Sequence, residues 1–149
     1  MPRRAPADLV PPRAAANSRS STVTGGHNVI GWKLDSGDRE ALLTRFPPAW
    51  PDVVADHVTL ASGVGPDSPL PGANCGEVVG EVDDGAGLQA LVVAIGGKTE
   101  RPDGGTYHIT WSLDRTRGRE PRESNEILAE RGWQSLSPPV PIRLLPSRF

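Results

Sequence analysis

Apolar residues recur at strand period in short runs, and turn signals separate the runs. Residues 28–34, Asn-Val-Ile-Gly-Trp-Lys-Leu, read as a first strand. Asp35-Ser36-Gly37-Asp38 then offers turn and N-cap chemistry, and residues 39–46 read as a short helix stopped by Pro47-Pro48. Residues 56–61 form a strand, followed by a Gly/Pro/Ser-rich loop over 62–74. Residues 76–82 and 88–95 form a hairpin around Asp83-Asp84-Gly85-Ala86-Gly87. Arg101-Pro102-Asp103-Gly104-Gly105 is another strong turn. The run 106–113 alternates: Thr106, His108, Thr110 and Ser112 share a polar face, and Tyr107, Ile109, Trp111 and Leu113 share an apolar one. Residues 121–131 suit a helix, with Pro121 near its first turn and Gly132 as its stop, and 140–145 is a last strand. Five or six strands and two helices make a mixed α+β domain.

Composition adds an N-terminal boundary. Residues 1–21 are rich in Pro, Arg, Ala and Ser without periodicity, which predicts a disordered basic tail before a single domain over 22–149. A net charge of -2 argues against a generic nucleic-acid coat but leaves room for a small nucleotide or an RNA end. Arginine supplies 14 of the 16 basic residues, a bias that suits bidentate phosphate contacts. The single Cys75 excludes an internal disulfide and a cysteine-cluster zinc site. With no apolar run of membrane length and no secretory signal pattern, a cytoplasmic setting is expected.

The chemistry concentrates in a repeated tripeptide. His57-Val58-Thr59 and His108-Ile109-Thr110 stand 51 residues apart and use two of the three histidines. Threonine fills 8 of 149 positions, so this pairing arises by chance in roughly 1% of such chains. In a strand, residues i and i+2 face the same way, so each motif presents an imidazole beside a hydroxyl, with the apolar residue turned to the core. Two histidines flanking a phosphorus can act as base and acid near neutral pH. The hydroxyls of Thr59 and Thr110 can donate to non-bridging phosphate oxygens, where charge develops in the transition state.

With these eight residues, His57-Val58-Thr59-Leu60 and His108-Ile109-Thr110-Trp111, the chain resembles the 2H phosphoesterase superfamily, named for two His-x-Thr/Ser-x motifs. The resemblance implies a bilobal fold, with two antiparallel sheets facing across a central cleft and helices outside. It implies no metal or other cofactor, and a cyclic-phosphate or 2′-5′ linked substrate, hence a nucleotide or RNA partner. It also implies that His57 protonates the leaving oxygen while His108 activates water. The motif spacing is short for that family, so the insertions that often shape substrate choice must be trimmed.

Other signals are weaker. Trp50 and Trp133, flanked by loop residues, are candidates for stacking on a base. Arg115 and Arg117, with Arg119 and Arg122, follow the second motif and are candidates for backbone phosphates. Gly96-Gly97-Lys98-Thr99 resembles the end of a P-loop, but Val92 stands where the first glycine belongs and a turn follows instead of a helix. His27, His57, His108 and Cys75 lack metal-ligand spacing, so no metal is expected, and His27 reads as a loop residue.

Overall fold

The computed structural model describes residues 28–149; the expected tail and His27 lie outside the described residues. Seven strands and two helices follow in the order β1 (Ile30–Leu34), α1 (Ser36–Arg45), β2 (Asp52–Val53), β3 (His57–Ala61), β4 (Cys75–Asp83), β5 (Leu88–Ala94), β6 (His108–Leu113), α2 (Glu123–Arg131) and β7 (Gln134–Arg148). A 3₁₀ turn, Arg115–Arg117, lies between β6 and α2. The strands form one curled antiparallel sheet in the order β2-β6-β5-β4-β7-β1-β3. The mixed class is as the sequence suggests. The two sheets expected from the resemblance are joined into one by β7.

β7 makes that join by changing neighbours. It pairs with β4 from Gln134 to Arg143 and with β1 from Leu144 to Arg148. Each stretch therefore has one side without a ladder, where a proline's missing N–H costs no bond. Its 15 residues replace the six expected, because Pro138, Pro139, Pro141 and Pro146 mask the strand signal. Pro138 and Pro139 fall between Ser135 and Val140, where the register slips against β4.

Helix α1 begins a turn earlier than the apolar pattern suggests. Asp35 caps it by accepting from the Asp38 N–H at 3.0 Å. It ends at the Phe46 N–H to Leu42 carbonyl bond, and Pro47 and Pro48 cannot continue it.

The sheet is covered on both faces. Trp32, Leu34, Val58, Val78, Leu91, Val93, Ile109, Trp111 and Leu144 pack with Leu42 of α1 in the main core. The indole N–H of Trp111 donates to the Phe46 carbonyl at 2.7 Å, which pins the end of α1 to β6. Val82, Leu88, Ala90, Val92 and Leu113 form a second cluster with Leu128 of α2.

The alternation of β6 holds only as far as Trp111. Thr110 pairs with Ala90 and Ser112 with Gln89, so Trp111 is an extra residue and the strand bulges there. The bulge corrects two expectations. Ser112 leaves the polar face and is fully buried, donating to Gln89 Oε1 at 2.6 Å. Leu113 parts from Ile109 and Trp111 and joins the second cluster.

Two close approaches hold the motif strands in place. Gly31 of β1 lies against the backbone of residues 58–60, where any Cβ would collide with the Val58 carbonyl. The short span 54–56 links β2, at one edge of the sheet, to β3 at the other. Within it, the Ala55 N–H donates to the Thr110 carbonyl at 3.0 Å and the Val54 N–H to the Trp111 carbonyl at 2.9 Å. The Ala55 carbonyl in turn accepts from Arg39 Nε at 2.7 Å. Ala55 adopts a φ of 43°, a left-handed conformation uncommon for alanine, and these bonds on both sides hold it there.

Candidate active site

One cleft of about 370 Å³ gathers both motifs, and His57, Thr59, His108 and Thr110 all line it. Val29, Ser62, Arg101, Asp103, Pro121, Arg122, Asn125 and Phe149 complete the wall. The middle residues turn away as parity requires, and Val58 and Ile109 are fully buried in the main core.

Each imidazole has its Nδ1 anchored. In His57 this nitrogen meets Asp56 Oδ2 at 3.0 Å. In His108 it donates to the Thr106 carbonyl at 2.8 Å. A carbonyl only accepts, so in the neutral ring the His108 proton sits on Nδ1 and Nε2 keeps its lone pair. No partner for either Nε2 exists among the described residues.

The two surroundings differ in sign. The His57 ring lies beside a carboxylate that also takes the Lys33 ammonium at 2.6 Å. Burial pushes the Asp56 carboxyl up, but the hydrogen bonds and charges of Lys33 and His57 outweigh it and hold the group below its ordinary value. The Phe149 ring stacks obliquely on His57 at 4.5 Å, and Lys33 sits over that ring at 5.0 Å. His108 is only 9% exposed. Burial lowers its pKa, the Thr106 carbonyl opposes the shift, and the charges of Arg101 and His57 add to it. Burial thus disfavours an imidazolium at His108, while the His57 ring keeps a carboxylate within hydrogen-bond distance.

The hydroxyls differ too. Thr59 is half-buried, and its side chain has no hydrogen bond among the described residues. Thr110 Oγ1 lies 2.8 Å from Ser124 Oγ and donates to the Pro121 carbonyl at 3.2 Å. Its single proton therefore already has an acceptor in the entrance to α2.

The stacking and backbone candidates lie elsewhere. Trp50 donates to Asp83 Oδ1 at 3.1 Å and carries Arg117 over its ring at 5.2 Å. Arg117 also pairs with Asp114 at 3.1 Å. Arg115 is exposed on the 3₁₀ turn, and Trp133 lines a separate hollow with Glu81, Asp83 and Arg131. Of the arginine run only Arg122 reaches the cleft, while Arg119 is tied to Asp84 at 2.6 Å and Glu123 at 3.0 Å. Gly96-Gly97-Lys98 is a tight turn, closed by reciprocal bonds between Ile95 and Lys98.

Sequence reasoning did not single out Asp56, Arg101, Ser124, Asn125 or Phe149. The position of Asp56 next to His57 was a usable signal. Arg101 was concealed in a turn that explained itself. A larger cleft of about 520 Å³ is lined by Asp38, Cys75, Glu77 and Arg143 among others. Its arginine is occupied by Asp35 and Asp38, at 3.0 and 3.1 Å. No helix among the described residues is long and apolar enough to cross a membrane. Compared with protein-family models, with curated proteins and with solved structures, the chain has no match in any of the three.

Proposed function

We propose that the chain is a metal-independent phosphodiesterase that opens a 2′,3′-cyclic phosphate, on a nucleotide or an RNA end, to a monoester. The observation that carries this reading is the single cleft lined by both His-Thr pairs. On this reading the two halves of the curled sheet, one carrying β3 and the other β6, act as the two lobes of a 2H phosphoesterase-like fold. A cytoplasmic enzyme acting on RNA ends or nucleotides fits these features.

The reaction needs one base and one acid. Neutral His108 takes a proton from water through Nε2 as the water oxygen bonds to phosphorus. The bond from phosphorus to one ribose oxygen breaks, and that oxygen takes the proton of Nε2 in a protonated His57. The products are a phosphomonoester and a free hydroxyl, and proton exchange with solvent resets both rings. The lowered pKa of His108 suits a base that must start neutral. The Asp56 carboxylate suits an acid that must start charged. Thr59 is free to donate to a non-bridging oxygen.

A substrate panel tests the proposal: 2′,3′-cyclic mononucleotides, RNA oligomers with a cyclic-phosphate end, and 2′-5′ linked adenylates. Turnover of the cyclic phosphates is expected, undiminished in EDTA, with a bell-shaped pH profile. His57→Ala and His108→Ala should each lower kcat by about 10²–10⁴-fold. Turnover by the double variant at the wild-type rate rejects the mechanism. Cleavage of the 2′-5′ linked adenylates alone moves the substrate while keeping the site. Tight binding of cyclic-phosphate RNA without product makes the cleft an end-binding module.

A further inference from the structure

Among the cations of the cleft, Arg101 stands apart. It opens the turn 101–105, which is closed by the Arg101 N–H to the Gly105 carbonyl at 2.8 Å and the Gly104 N–H to the Arg101 carbonyl at 2.9 Å. Its side chain is only 10% exposed. Nε donates to Asp103 Oδ1 at 3.1 Å and Nη2 to Asn125 Oδ1 at 3.2 Å. Asp103 and Asn125 both line the His57–His108 cleft, so the guanidinium is held from that side. Gly105 completes the seat, because a Cβ there would collide with the guanidinium.

The seat holds the guanidinium without saturating it. A guanidinium has five N–H donors, and Nη1 and the second Nη2 hydrogen have no acceptor among the described residues. The charge is only partly offset, since Asp103 is 56% exposed and its Oδ1 also accepts the Gly105 N–H at 2.9 Å. Arg119 shows the contrasting, structural use of an arginine, with Asp84, Glu123 and the Ala86 carbonyl all on its guanidinium. A rigid, partly buried fork with spare donors beside a cleft is the geometry that recognises phosphate oxygens. The charge of Arg101 also reaches His108, where it disfavours the imidazolium.

Meanwhile the hydroxyl that should serve this half of the site is engaged. Thr110 donates to the Pro121 carbonyl and touches Ser124. We infer that Arg101 is the phosphate anchor on the His108 side of the cleft. Its free N–H groups take the non-bridging oxygens of the substrate phosphate, in the place that the motif would give to Thr110. This rests on the reading of the cleft as a phosphoester site, and Thr59 remains the hydroxyl donor on the opposite side.

The test is titration of the whole chain with adenosine 2′-monophosphate and with inorganic phosphate by calorimetry, alongside turnover on the cyclic substrate. Far-UV circular dichroism and Tm check the fold of each variant. Arg101→Met should weaken adenosine 2′-monophosphate binding by about tenfold or more and lower kcat by about 10²-fold. Arg101→Lys keeps the charge but loses the fork, and should recover only part of both. In the histidine NMR signals, Arg101→Met should also raise the titration midpoint of His108, because it removes a charge that disfavours the imidazolium. If Arg101→Met does not fold, Arg101→Lys decides alone. Folded variants that bind and turn over like the wild type overturn the assignment of Arg101 and leave the phosphodiesterase reading intact. A wild-type chain that neither binds these phosphates nor hydrolyses the cyclic substrate overturns both.

Discussion

His57 and His108 occupy the same tripeptide in different ground. β3 is an edge strand, so His57 keeps 31% of its side chain in solvent and is steered by other side chains, Asp56, Lys33 and Phe149. β6 lies inside the sheet under α2, so His108 is buried and steered by the main-chain carbonyl of Thr106. A carboxylate partner favours an imidazolium, whereas burial next to an arginine favours the neutral ring. The proposed mechanism uses this difference, with its acid on β3 and its base on β6. What differs is the strand's place in the sheet.

The threonines offer the largest break in this symmetry. Thr110→Val should cost about 1–3 kcal/mol of stability, because it strands the fully buried Ser124 hydroxyl. Thr59→Val, with no partner to strand, should stay within about 0.5 kcal/mol. Denaturant unfolding of both variants reads the difference, and Thr110→Val combined with Ser124→Ala should recover much of the loss. Equal costs at the two positions would dissolve the distinction. Next in size, Asp56→Asn removes the carboxylate that holds His57 and should lower kcat by about tenfold with little change in KM. Steady-state kinetics on the best cyclic substrate checks it, and an unchanged kcat would leave Asp56 as a partner of Lys33 alone.

The smallest effect is one of pH. Above the ordinary histidine value of 6.5, His108 is neutral in folded and unfolded chains alike. Below it the unfolded chain takes up a proton first, so this contribution to stability is lost as pH falls through the lowered folded value. His108→Gln should flatten the fall of Tm between about pH 7 and pH 5, measured by thermal unfolding. A slope as steep as that of the wild type would show that the ring is not held neutral.

Much of this organisation was legible in the chain. Alternation through 106–110 put His108 and Thr110 on one face and Ile109 in the core, because a ladder without interruption preserves parity. The bulge at Trp111 ended that inference for Ser112 and Leu113, since a bulge depends on the partner strand. β2 has two residues, too few to carry a period, and the prolines of β7 suppressed a strand that a change of neighbours makes possible. Around the cleft, side-chain type alone was a poor guide to place. Trp50 and Arg117 have the right chemistry for RNA, yet they satisfy Asp83, Asp114 and one another. Arg101 shows the reverse, a turn residue whose destination depends on Asn125, 24 positions along the chain.

The span 54–56 has a further consequence, for tolerance to changes in length. Across the sheet, β3 and β6 stand at nearly opposite ends, but along the chain they meet through Ala55, bonded to Thr110 two residues before His57. Loops such as 62–74 can accept added residues at modest entropic cost. One residue inserted at 54–56 would turn His57 and Thr59 into the core and Val58 toward the cleft, or else tear Ala55 from Thr110. The spacing that this protein cannot vary is thus the short path that ties one motif to the other, and the 51-position separation of the histidines matters less.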